Sequence, residues 1–205
     1  MLRVSAQPVI GVILLAAGSS SRLGTPKQLL QFEGNSLLQN AIDASLKSSA
    51  SELIVVLGAQ ADLLRDEIQD PAVHVVYNEA WQEGMASSIR TGINAFVGRH
   101  PDADAVILMV CDQPHISSDL LNEMIAVYKQ TAKPIVACGY DNTYGPPTLF
   151  HSGLFHELLE LKGDKGARMI VAEHSGSVEI VPFPNGEVDV DTEADYERIK
   201  SAGSI

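Results

Sequence analysis

The 205-residue chain has no cluster of lysine or arginine, and its 26 acidic residues outnumber its 14 basic ones, for a formal net charge of -12. A surface that grips nucleic acid gathers basic side chains against phosphates, so this balance argues against a nucleic-acid partner. The surplus of acid reads as solubility. Cysteine is scarce: Cys111 and Cys138 are the only two, and neither belongs to a C-x-x-C pair. No zinc site is signalled, and a reducing compartment fits. The histidines His74, His100, His115, His151, His156 and His174 show no metal-ligand spacing. No apolar run is long enough to cross a bilayer as a helix. The run from Val9 to Ala17, behind Arg3, mimics the charged and apolar regions of a secretory signal. It is nevertheless rich in Val and Ile and leads into a Gly/Ser turn. A buried first strand accounts for it, and the expected location is the cytoplasm, with no membrane partner. There is no internal repeat, and no linker long enough to separate domains.

What the chain does have is apolar mass, 45% of its residues, enough for one sizeable core. A single domain over residues 1–205 is expected, with about 1–8 as a short tail. Apolar runs at Val9 to Ala17, Glu52 to Leu57, Val73 to Tyr77, Ala105 to Val110 and Ile135 to Cys138 predict strands. Helical spacing marks Ser36 to Lys47, Asp62 to Ile68, Ala86 to Val97 and Asp119 to Tyr128. Near-continuous Val/Ile/Leu strands alternating with helices imply an α/β fold, a mostly parallel sheet covered on both faces. After Gly139 the rhythm changes. Gly145-Pro146-Pro147 breaks the pattern, His151 to Leu161 reads as a helix and Gly163 to Gly166 as a loop. Val178 to Val181 and Val188 to Val190 read as short strands before a last helix from Glu193. In open α/β sheets ligands bind beyond the carboxyl ends of the strands, so chemistry is sought in the loops that follow them.

Leu15-Ala16-Ala17-Gly18-Ser19-Ser20-Ser21-Arg22-Leu23-Gly24-Thr25-Pro26-Lys27 follows the first strand. Its glycines and serines let the backbone turn sharply and aim N–H groups inward, a concavity suited to anions. Arg22 can fork onto phosphate oxygens and Lys27 supplies a compact positive charge. It is neither G-x-G-x-x-G, since Ser20 stands in place of the second Gly, nor G-x-x-x-x-G-K-[ST], since Gly24 is one place late. Glu83 to Gly92 opens a helix, where Ser87 and Ser88 either meet a polar ligand or simply cap it. Asp112, after the strand Val106 to Val110, either projects a carboxylate into the ligand crevice or starts a turn before Gln113-Pro114. Asp189-Val190-Asp191-Thr192-Glu193 holds a second acidic group, in which Asp191 or Thr192 could also cap the last helix.

These segments resemble, in order, the motifs of GT-A-like nucleotidyltransferases, and are most similar to the branch that contains molybdenum cofactor cytidylyltransferases. The first loop is similar to L-A-A-G-x-S-x-R-x-G-x-x-K, Gly84 to Gly92 to G-M-x-x-S-[LIV]-x-x-G, and Asp112 to D-[MQ]-P. Asp189 to Glu193 is similar to [DN]-[IV]-[DN]-T-P, with Glu193 for the usual Pro. Gly145 to Phe150 resembles G-H-P-x-[LI]-F, with Pro146 for the His, and Gly163 to Arg168 resembles G-D-x-G-A-R. The resemblance implies a Rossmann-like nucleotidyltransferase architecture and Mg²⁺-dependent transfer of a nucleoside monophosphate to a phosphate-bearing acceptor. CTP and molybdopterin are the favoured pair. A sugar phosphate or phospho-acid acceptor is the alternative, as is a non-catalytic nucleotide-binding accessory protein. By resemblance Arg22, Lys27 and Asp112 are catalytic. Leu15, Ala16, Ala17, Gly18, Ser19 and Ser20 join Arg22 and Lys27 around the nucleotide, with Gly58, Gly84 and Ser88 near its nucleoside. Asp112 and Asp191 would hold the metal, Asp189 being the fallback in register. Gly145 and Arg168 fall on the acceptor side. Ala17, where guanylyl-transferring relatives carry Gly, would crowd a purine and favour CTP over GTP, while excluding UTP poorly.

Overall fold

The computed structural model describes residues 7–20 and 23–202. In chain order its first elements are β1 (Ile10–Ala16), the short pair β2 (Gln31–Phe32) and β3 (Asn35–Ser36), and α1 (Leu37–Leu46). Then come β4 (Glu52–Leu57), α2 (Ala61–Glu67), β5 (Val73–Tyr77), α3 (Met85–Arg99), β6 (Ala105–Val110) and α4 (Ser118–Thr131). The chain closes with β7 (Ile135–Tyr140), β8 (Thr143–His151), α5 (Phe155–Glu160), α6 (Arg168–Glu173), β9 (Val178–Pro182) and α7 (Glu193–Ala202).

Seven strands form one sheet in the order β5-β4-β1-β6-β8-β7-β9. The pairs β5–β4, β4–β1, β1–β6 and β7–β9 are parallel, and β8 runs antiparallel to both neighbours. The mostly parallel sheet expected from the apolar runs is therefore present, and β1 shows why those runs are continuous. Ile10, Val12, Leu14 and Ala16 join Leu38, Ile42, Leu64 and Leu121 from α1, α2 and α4 on one face. Ile13 and Ala17 join Ile89, Phe96, Leu158 and Ile170 from α3, α5 and α6 on the other. With both faces covered, alternation has no polar side to show. Close approach of α3 to β1 depends on Gly92, because a Cβ there would run into Ile13.

The second half departs from the pattern in four places. Gly145-Pro146-Pro147 lies inside β8 rather than breaking the chain there. Ala137 pairs with Thr148 and Cys138 with Gly145, so the two prolines occupy skipped positions where no ladder N–H is required. Residues 151–161 are not one helix: His151 ends β8, and a single 3-10 turn, Ser152–Leu154, leads into α5. The short helix α6 was not anticipated. Finally, Val188 to Val190 is not a strand. Val190 is an anchor instead, buried with Phe32, Leu37 and Ile199, and its N–H bonds the Asp112 carbonyl at 3.0 Å. Among the described residues no helix is long and apolar enough to cross a membrane.

Candidate functional site

Strands β1 and β6 are adjacent and end together, with Leu15 opposite Val110. The loop after β1 and the Cys111-Asp112 turn after β6 therefore open on the same crevice. What shapes the first loop is Gln28, 1% exposed, in the 3-10 turn Lys27–Leu29. Its amide donates to the carbonyls of Ala16 and Gly18, at 3.1 and 3.2 Å, and its oxygen accepts from the Ser20 hydroxyl at 3.1 Å. Ser20, at φ 51°, also accepts from the Lys27 N–H at 2.9 Å. The Ser20 hydroxyl is thus committed to the loop itself, and the Ala16 side chain packs into the core on the opposite sheet face. A lone glutamine carries no periodic or motif signal, which is why it went unmarked in the sequence. Arg22 lies outside the described residues.

Lys27 stands between two carboxylates. Its ammonium is 2.5 Å from Asp112 Oδ2 and 3.0 Å from Asp191 Oδ1. Asp191 reaches this point because the C-terminal segment is moored to the Asp112 turn: Val190 N–H bonds the Asp112 carbonyl, and Gln113 Nε2 donates to the Gly186 carbonyl at 2.8 Å. Burial alone would lower the Lys27 pKa, but the charge and hydrogen bond of Asp112, helped by Asp191, leave it raised. Asp189, whose carboxyl is raised first by burial and then by the charges of Asp191 and Asp112, senses the same crowding of acid. Burial, followed by the charge of Asp112, pushes the Cys111 thiol up to about 12, so it is no nucleophile at neutral pH. Asp112 Oδ1 is buried with no hydrogen-bond partner among the described residues. An orphaned carboxylate oxygen beside further carboxylates is the donor chemistry that a hard divalent cation takes. The residues present therefore fit Mg²⁺ or a similar ion.

Beyond these charges lies a cleft of about 440 Å³. Of the residues singled out in the sequence, Leu15, Ala17, Gly18, Ser19 and Asp112 line it at and just beyond the ends of β1 and β6, Lys27 from the 3-10 turn that closes the first loop, and Gly84 and Ser88 from the start of α3. The start of α3 is built around Gly84 at φ 110°, a conformation open to glycine. Neither Ser87 nor Ser88 caps this helix: the Gly163 carbonyl accepts from Ala86 N–H at 3.1 Å, while Ser88 Oγ accepts from Asn78 at 2.9 Å. Gly58 sits behind Ala17; a Cβ on it would fall 2.7 Å from that of Ala17 and 2.8 Å from that of Trp81. Trp81, Gln82, Met85 and Asp164 also line the cleft and were not assigned to it from sequence. The Gly163–Asp164 loop is held there by Arg90, which pairs with Glu83 at 2.6 Å and donates to the Leu161 carbonyl at 2.6 Å. Gly145 and Arg168 line a second cavity, of about 290 Å³. Arg168 donates to the Thr143 hydroxyl.

A Rossmann-like α/β sheet with this crevice at the ends of β1 and β6 is the nucleotidyltransferase fold. The MobA-like NTP transferase domain matches residues 12–178, and the chain belongs to that family. It is 26% identical to the purine catabolism protein PucB of Bacillus subtilis (strain 168), over 96% of this chain and 98% of PucB. It is 28% identical to nicotine blue oxidoreductase of Paenarthrobacter nicotinovorans, over 90% of this chain and 93% of that one. Among solved structures, Rv0371c of Mycobacterium tuberculosis H37Rv superposes with a TM-score of 0.81 at 32% identity, covering 96% of this chain and all (100%) of that one. A structure of Rv0371c in complex with manganese superposes with a TM-score of 0.78 at 31% identity, with the same coverage of 96% and 100%.

Proposed function

We propose that this chain transfers CMP from CTP to a phosphate-bearing acceptor, molybdopterin, and releases pyrophosphate. The observation that carries the reading is the meeting of Asp191 with Lys27 and Asp112, two residues that line the cleft, with one Asp112 oxygen unpartnered. A similar protein, Rv0371c, is known in complex with manganese, which is in keeping with a divalent metal, and Mg²⁺ is proposed here, held by Asp112 and Asp191. When bound, the ion neutralises phosphate charge. The chain's own residues do the rest. The loop from Ala17 to Ser20 turns its backbone around the triphosphate, and Lys27, with Arg22, offsets the charge that develops on it. Gly84 and Ser88 leave room for the nucleoside and a hydroxyl to meet it. An acceptor phosphate oxygen attacks the α-phosphorus, the bond from that phosphorus to the bridging oxygen breaks, and pyrophosphate departs with the electron pair. The acceptor is already ionised at neutral pH, so no protein nucleophile or general base is required, and catalysis rests on positioning and charge. Purified protein, MgCTP and molybdopterin should yield pyrophosphate and a cytosine dinucleotide in equal amounts. Pyrophosphate released only with a sugar phosphate or phospho-acid would replace the acceptor. Tight CTP binding with no turnover on any acceptor would replace the enzyme by an accessory protein.

A further inference from the structure

Where β1 ends, the carbonyls of Ala16, Ala17 and Gly18 are all taken. Gln28 Nε2 donates to those of Ala16 and Gly18, at 3.1 and 3.2 Å, and the Ala59 N–H donates to that of Ala17 at 3.1 Å. In a trans peptide the N–H points opposite the C=O, so each of these bonds also aims the N–H of the next residue. The Ala17 carbonyl sets the Gly18 N–H, and the Gly18 carbonyl sets the Ser19 N–H. Gly18 and Ser19 are exposed on the wall of the cleft. Among the described residues, neither N–H has a hydrogen-bond partner. Two adjacent N–H groups without partners, in a loop whose carbonyls are held aside, suit an anionic oxygen. The other end of the Gln28 amide reaches Lys27: its Oε1 accepts from the Ser20 hydroxyl at 3.1 Å, and that hydroxyl accepts from the Lys27 N–H at 2.9 Å. Packing does not explain a glutamine here, 1% exposed, because methionine would fill the same length without the cost of burying an amide.

Resting on the transfer reading above, we propose that Gln28 is a positioning residue for the triphosphate. It touches no reacting atom. By holding the Ala16 and Gly18 carbonyls aside it turns the Ser19 N–H, beside that of Gly18, to the phosphates, and through Ser20 it sets the backbone from which Lys27 extends. Without the amide, the Gly18–Ser19 peptide is free to rotate and can bring a carbonyl oxygen, instead of an N–H, against the phosphates.

Calorimetric titration of the full chain with MgCTP, with inorganic tripolyphosphate in Mg²⁺ and with cytidine tests this, using Gln28→Met and Gln28→Ala. Both variants should bind CTP and tripolyphosphate at least about tenfold more weakly, the loss expected when a charged hydrogen bond goes, and cytidine within about twofold of the wild type. Melting curves establish that both are folded at the temperature of titration. A loss shared by two side chains of different size belongs to the amide. A loss in Gln28→Ala alone is a packing effect and overturns the proposal. So do folded variants with lower melting temperatures but unchanged affinities, and so does a loss that cytidine shares in full. Tripolyphosphate carries no base, which separates the two readings. Wild-type protein that takes tripolyphosphate but not CTP defeats the transfer reading, and the variants' tripolyphosphate affinities still decide on Gln28. Wild-type protein that binds neither overturns both.

Discussion

The first cavity is walled by a lysine between carboxylates, a serine hydroxyl and a polar loop stapled by Gln28, whereas the second, a few side chains away, offers aliphatic groups and a methionine. They meet at Leu15, Met85, Val110 and Asp164. The difference suits a division of labour. Charged hydrogen bonds gain strength where water is excluded and the donors are already in place, so charge handling belongs where the first loop and the end of β6 fix Lys27 and Asp112.

Altering the floor of the first cavity should have the largest effect. Asp112→Asn should fold normally and lose about 10²–10³ in kcat, as for removal of one group that stabilises transition-state charge. Near-normal pyrophosphate release at ordinary metal concentrations would remove Asp112 from the centre. Asp191→Ala should behave similarly and Asp189→Ala much less; the reverse order would move the second ligand two residues back. Lys27→Ala should weaken use of CTP by about 1.5–3 kcal/mol, the worth of a charged hydrogen bond, and leave the acceptor's KM nearly unchanged. An acceptor KM that rises as much as that of CTP would mean the two cavities are not separate in function.

The central strands and the first loop were legible because each is contiguous in sequence: an apolar run, then its loop, with Lys27 closing the first loop and Asp112 close behind β6. The joining of Lys27, Asp112 and Asp191 was visible only through the family resemblance, since nothing local says that Val190 is an anchor. Its burial with Phe32 and Ile199, and its bond to Asp112, are contacts across the chain. For the same reason Val188 to Val190 read as a strand, since apolar alternation looks alike whether a ladder or a pocket receives it. Pro146 and Pro147 read as a break because the skipped register that admits them belongs to the pairing with β7, not to β8 alone.

Smaller effects sharpen the contrast further. Ala17 borders the cleft beside Gly58 and Trp81. Competition among the four NTPs should favour CTP over GTP by roughly 10- to 200-fold, and Ala17→Gly should narrow that gap, as expected for a methyl group. Equal use of GTP and CTP by the wild type would contradict the steric account, as would an Ala17→Gly protein no better with GTP. Gln28→Ala leaves the Ala16 and Gly18 carbonyls without their donor and should cost about 1–3 kcal/mol in denaturant unfolding. An unchanged midpoint would show that water replaces the staple. Among the described residues no comparable network ties the apolar groups of the second cavity, so Ala167→Leu should alter stability less.

The central claim is that Asp112 and Asp191 together hold the metal that serves the nucleotide. Crystals grown with MnCTP, measured at the manganese absorption edge, test it most directly. The account predicts an anomalous peak ligated by oxygens of both Asp112 and Asp191, with Lys27 turned to the phosphates. A peak at Asp189 or Asp164 alone, with Lys27 still bridging Asp112 and Asp191, would contradict it.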